Sequence, residues 1–302
     1  MRKSRIYITL DTEMDNDEHW GKHFPPQYTS IIQGIPQYLR PIWNKYNVHP
    51  IYFVSPEVLY DEDAVKVLRK EVENGAIIGA HLHPEYIEPE RTWGKAIEHE
   101  DAKFPCYAYP FNIEKQKIQN LTELIKDKIG IYPIWYRAAR FGADSDTIKI
   151  LSDLGYQYDS SVTPNIDWSN KGGPNHMKAL NAEYKISKSD IYFEANGVED
   201  FSGIIEEPVT IYGKRWGVLG RILPNNWLFY NWLRPTHMTY VEMKHIVKQM
   251  KRENRETGVM MFHSMEIMIN KTPYVRNKWI QKYYLWRLDK ILEYIDKQGF
   301  DL

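Results

Sequence analysis

The sequence predicts an α/β fold built on a mostly parallel sheet that closes, or nearly closes, into a barrel. Three observations carry this expectation. Short apolar runs alternate with longer segments whose apolar residues recur at helical spacing. The alternation repeats about six or seven times, and parallel strands joined by crossover helices produce that pattern. Residues able to do chemistry gather just after the apolar runs, where barrels place their active sites.

Taken in order, "RIYITLD" (5–11) reads as a buried strand. "TSIIQGIPQYLRPIWNKYN" (29–47) has helical spacing, with two prolines that must bend or interrupt it. "HPIYFVS" (49–55) is a strand, and "DEDAVKVLRKEVENG" (61–75) a helix with an acidic start and a glycine stop. "AIIGAHLH" (76–83) is the third strand, "NIEKQKIQNLTELIKDKIG" (112–130) a helix, "PIWYRA" (133–138) a strand. "DSDTIKILSDLG" (144–155) and "YQYDSS" (156–161) form the next helix–strand pair. Between 165 and 225 Gly, Pro and Asn loosen the pattern, and "IYFEANG" and "IEEPVTIYG" suggest a β-rich insertion. A helix (239–258), a last buried strand "VMMFHS" (259–264) and an amphipathic C-terminal helix (275–302) complete the chain.

No linker or internal repeat divides the 302 residues, so one catalytic domain spanning 1–302 is expected. The formal charge of −1 argues against nucleic acid as a partner. The apolar run that Asp11 ends is too short for an export signal, and no segment approaches a membrane span of about 20 residues. The single cysteine, Cys106, fits a reducing compartment, so a cytoplasmic location is expected. "NNWLFYNWLRP" (225–235) reads either as a buried segment or as peripheral contact with a lipid carrier. The 10 Trp and 22 Tyr either pack the core or stack on sugar rings, whose apolar faces suit flat aromatics.

The strand ends raise the chemical question. Asp11, Glu13, Asp15 and Asp17 crowd the end of the first strand, where like charges repel unless a cation joins them. His81 and His83 end the third, Arg137 and Arg140 follow the fourth, Asp159 ends the next, and His263 and Glu266 follow the last. His-x-His on a strand presents both imidazoles to one side. With a carboxylate from a neighbouring strand they make a two-histidine, one-carboxylate site for a divalent metal. Asp11 and Glu13 share a face, so one can bind the ion while the other takes a proton from water. Asp15 and Asp17 read as a solvated loop face.

These motifs, in this order, resemble the polysaccharide deacetylases, whose domain is a deformed (β/α) barrel. "TLDTE" resembles the first motif, "HLHP" the second, "YRAARFG" the third, "GYQYDSS" lies in the place of the fourth, and "FHSMEI" resembles the fifth. "EEPVTI" and "WLRP" resemble a branch found in surface-glycan synthesis. The resemblance implies Asp11 as general base, Glu13, His81 and His83 as metal ligands, Arg137 as the residue orienting the base, and His263 as general acid. Asp159 would either orient His263 or cap a turn, and Glu266 could also be the partner of His263; Arg140 is a further supporting candidate, and Glu85 could approach the ion. Zn2+ is the implied metal, with Co2+, Ni2+, Mn2+ or Fe2+ as substitutes. The implied reaction removes an N-acyl group, N-acetyl first, from an amino sugar that is glycan-, lipid- or nucleotide-linked. Two features depart from the commonest motifs: Thr12 separates the two acids, and the histidines stand two apart rather than four.

An amidohydrolase acting on a non-sugar amide also uses His-x-His, but there the pair ends the first strand. A non-catalytic carbohydrate-binding relative would need no paired acid and base.

Overall fold

A computed structural model of the chain describes residues 4–92, 106–214, 222 and 229–302. Its strands are β1 (Arg5–Thr12), β2 (Ile51–Val54), β3 (Ile77–Leu82), β4 (Trp135–Ala138), β5 (Tyr158–Asp159), β6 (Tyr184–Ser187), β7 (Phe201–Glu206), β8 (Ile211–Lys214), β9 (Tyr230–Trp232) and β10 (Thr257–His263). Its α-helices are α1 (Arg40–Tyr46), α2 (Glu62–Glu73), α3 (Phe111–Ile129), α4 (Ser145–Asp153), α5 (Tyr240–Arg252) and α6 (Lys278–Lys297). Eight strands join one sheet in the order β10-β1-β2-β3-β4-β5-β7-β6, one more than the approximate seven expected. The chain divides into two compact units, Met1–Ile78 with Asn231–Leu302, and Gly79–Tyr230. β3 begins in the first and ends in the second.

In the first unit β1 runs parallel between β10 and β2. Both faces of β1 are covered, and every residue after Arg5 is buried. That is why its sequence reads as a continuous apolar run rather than an alternating one. The register sets Asp11 beside His263 of β10 and Phe53 of β2. The expected helix at 29–47 is two helices. Ser30–Leu39 winds as a π-helix containing Pro36, and α1 follows with Pro41 in its first turn. A proline supplies no N–H, so the interruption falls where two of them interrupt the ladder. Asp61 caps α2, Thr239 and Glu242 form a capping box on α5, and Asn277 caps α6.

In the second unit β4 pairs in parallel with β3 and β5, and β5 with β7. α3 ends at Gly130, whose φ of 90° is the left-handed conformation that a glycine stop allows. The segment 165–225 is not wholly an insertion. β7 continues the parallel sheet, and only β6, at the edge, pairs antiparallel. The β-rich character matches the sequence, but the membership of the main sheet does not: β7 carries Gly203 at φ 97° inside it, which interrupts its strand pattern. The stretch "NNWLFYNWLRP" lies in part outside the described residues; Tyr230, Trp232 and Leu233 within it are buried.

Candidate active site

The first unit brings a carboxylate and an imidazole together. Asp11 and His263 lie opposite each other in the β1–β10 register. The imidazole Nε2 is 3.9 Å from Asp11 Oδ2 and 3.7 Å from Glu13 Oε1. Its Nδ1 is 2.9 Å from Glu266 Oε1. An ionised carboxylate can only accept, so Nδ1 carries a proton and the ring is held in one orientation. Glu266 is itself fixed by the Arg234 guanidinium and the Thr236 hydroxyl. Burial pushes the Glu266 carboxyl up, but the charge of Arg234 and the bonds from His263 and Thr236 outweigh it and hold it well below the usual range. Burial likewise pushes His263 down, yet the Glu266 hydrogen bond and the charges of Glu13, Glu266 and Asp11 leave it raised. A raised imidazole keeps its proton to higher pH than a free one does.

Glu13 is buried and meets the Lys22 ammonium at 3.4 Å. The acidic crowding seen in the sequence thus divides. Asp15 is not on a solvated face: it is buried and accepts the Thr29 and Ser30 N–H groups at 2.9 and 3.2 Å, with Lys271 at 3.6 Å. It anchors the start of the π-helix, where unpaired N–H groups favour a carboxylate. Asp17 is partly exposed and accepts the His19 and Gly21 N–H groups, each at 2.7 Å. Those two bonds lower its pKa. The turn they build ends in Trp20, at φ 67°, whose ring meets His263 edge-on at 5.9 Å and Tyr274 at 5.5 Å.

The second unit supplies the histidine pair. β3 ends at Leu82, so His81 lies on the strand and His83 one residue beyond it. His83 keeps an extended backbone, and the two rings meet at 5.0 Å. Both are nearly inaccessible, at 2% and 6% exposure. His81 Nδ1 lies 2.9 Å from the Arg137 backbone oxygen, its neighbour in the β3–β4 register. His83 Nδ1 lies 3.1 Å from Glu85 Oε1. Burial pushes Glu85 up, but His83 and Arg140, whose guanidinium is 2.9 Å away, bring its pKa down to about 2. A carbonyl and a carboxylate are acceptors only. Each histidine therefore donates from Nδ1 and keeps its lone pair on Nε2, the arrangement that prepares imidazoles to bind a metal.

Arg137 is completely buried, and its guanidinium donates to the Ser160 carbonyl at 2.9 Å and hydroxyl at 2.8 Å. Arg140, at φ 54°, turns back to Glu85. Asp159 takes the Ser161 hydroxyl at 2.6 Å and pairs in register with Glu206. Burial raises both carboxyls, and Asp159's charge raises Glu206 further. Glu85, read from sequence as a group near the ion, acts on His83. The sequence reading missed Lys22, Arg234 and Thr236. "WLRP" contained the arginine, but its partner lies 32 residues further on.

Among the described residues, Glu13, His81 and His83 form the group that could hold a metal ion, each offering one ligand atom. Two buried imidazoles and one carboxylate suit zinc and similar divalent ions, so the donor set fits the implied cofactor.

No protein-family model matches the sequence, and no curated protein matches it. Solved structures do. A candidate glycoside hydrolase/deacetylase from Parabacteroides distasonis aligns with TM-score 0.68 and 10% identity, over 99% of this chain and 69% of that one. The chain has the fold of polysaccharide deacetylases. A candidate polysaccharide deacetylase from Mycobacterium smegmatis aligns with TM-score 0.51 and 12% identity, over 99% of this chain and 93% of that one. In this fold, Asp11, His81 and His263 stand at or near the C-terminal ends of parallel strands. At such low identity the likeness concerns backbone architecture alone.

Proposed function

We propose that the protein is a metal-dependent hydrolase that removes an N-acyl group, N-acetyl first, from an amino sugar. The observation that carries this reading is the Glu13/His81/His83 ligand group, with both histidines prepared by Nδ1 acceptors. The deacetylases that share its fold support the reaction class.

Glu13, His81 and His83 would hold the ion, zinc first, with cobalt, nickel, manganese or iron(II) as substitutes. When bound, such an ion supplies Lewis acidity, polarising a carbonyl and lowering the pKa of a water. Asp11 accepts a proton from the attacking water. An amine leaves poorly unless protonated, and His263 gives its Nε2 proton to the leaving nitrogen. Glu266 keeps that proton on the correct side by holding Nδ1–H, and Arg234 and Thr236 keep Glu266 in place. Arg137, pinned by Ser160, orients the base. The Trp20 ring beside His263, with Tyr274 packed against it, offers an apolar face to a pyranose. A cytoplasmic site of action, consistent with the single buried Cys106, would present nucleotide- or lipid-linked amino sugars.

The test is incubation of purified protein with N-acetylated nucleotide sugars, polyprenyl-linked glycans and N-acetylated oligosaccharides, with acetate release scored by mass. Release that stops on chelation and returns with zinc or cobalt supports the proposal. Undiminished release from metal-free protein would end it.

A further inference from the structure

The first half of α6 carries a face that the first unit leaves in solvent. Trp279, Tyr283 and Trp286 recur at i, i+4 and i+7, which lines them along one side of the helix. They are 80%, 47% and 46% exposed. Tyr284, Leu288 and Ile291, on the other side, are buried. The exposed rings form a supported ledge. Tyr283 and Trp286 stack at 5.7 Å, and Trp286 meets Tyr240 of α5 edge-on at 6.1 Å.

The charges on this ledge have one sign. From Arg276 to Trp286 the exposed charges are Arg276, Lys278 and Lys282, with no Asp or Glu; Arg287, next along, is buried and donates to the Met238 carbonyl at 3.0 Å. The Lys282 ammonium lies 5.7 Å from the Trp279 ring centre, and the Arg287 guanidinium 5.0 Å from that of Tyr283. A solvated helix face ordinarily mixes both signs, as the rest of α6 does with Asp289, Lys290, Glu293, Asp296 and Lys297.

Aromatic rings exposed together along one helix face mark a contact site. Trp and Tyr settle at the level of lipid headgroups, where the ring meets acyl chains and its polar edge meets water. Lysine and arginine beside them meet anionic headgroups. No described helix is long and apolar enough to cross a membrane, so the contact would lie along the surface. A second copy of the chain fits poorly, because a two-fold interface would set the basic stripe against itself. We propose that this face of α6 docks the protein on an anionic lipid bilayer.

The test is flotation of the full chain with phosphatidylcholine vesicles, with and without phosphatidylglycerol. Binding to the anionic vesicles is expected, falling as salt rises. The exposed-charge variant Lys278→Glu/Lys282→Glu should bind at least about tenfold more weakly, as should Trp279→Ser/Tyr283→Ser. Circular dichroism and thermal melting check that each variant is folded, and the charge variant alone suffices if the aromatic one is not. Wild-type protein that stays with the unbound fraction would overturn the proposal. So would variants that float like wild type, or a solution dimer or nucleic-acid complex that the same substitutions dissolve. The assay measures no turnover, so it stands or falls separately from the deacetylase reading.

Discussion

Glu85 gives the most direct test of how the histidine pair is prepared. Its carboxylate accepts the His83 Nδ1–H at 3.1 Å and is paired with Arg140 at 2.9 Å. Its pKa of about 2 means that it is ionised throughout the working range. Removing such a partner typically costs ten- to a hundredfold in metal affinity, or about 1.4–2.7 kcal/mol. Both residues are nearly fully buried, so water cannot easily replace the lost acceptor, and Glu85→Ala should fall near the upper end. Glu85→Gln can still accept through its amide oxygen, though without the charge, and should cost about tenfold. Neither variant should abolish binding. His81 is oriented by the backbone oxygen of Arg137, which no side-chain substitution removes. The assay is competition for zinc against a fluorescent chelator, with circular dichroism to confirm folding. Affinities within twofold of wild type for both variants would refute the argument that Glu85 prepares His83.

Three further expectations follow from the same geometry. Asp11→Asn should retain zinc and lose about a hundredfold or more in turnover, as loss of a general base does; loss of the metal instead would exchange the roles of Asp11 and Glu13. Arg234→Met strips the guanidinium from the buried Glu266 and should destabilise the fold by about 3–5 kcal/mol in urea unfolding, with much of that recovered in Arg234→Met/Glu266→Gln; additive costs would show that the two do not act together. Burial lifts Glu114 of α3 to about 7, although it accepts the Thr147 hydroxyl at 2.6 Å. Between its ordinary 4.5 and about 7 the native state holds a proton that the unfolded chain has released. Stability should therefore fall by about 3 kcal/mol as pH rises through that window, and Glu114→Gln should flatten the fall; equal slopes for both proteins in urea titrations from pH 4.5 to 8 would refute it.

The sequence by itself determined most of the elements and the positions of the chemistry along them. Apolar runs such as "RIYITL" and "VMMFHS" declare strands because burial on both faces leaves no place for polar residues. The same burial makes a charged strand end conspicuous, which is how Asp11, His81 and His263 stood out. The acidic start of α2 at Asp61 was legible because a cap acts within a few residues. The tertiary structure decided what distance along the chain conceals. Register placed Asp11 beside His263 across 252 positions of sequence. It sent Asp15 inward to the start of a helix 14 residues away, and it gave Glu266 a partner in Arg234 from an earlier loop. It also drew β7 into the parallel sheet out of a segment that reads as a β-rich insertion. Hydrogen bonds and ion pairs of this kind depend on where side chains meet in space, and periodicity carries no record of that.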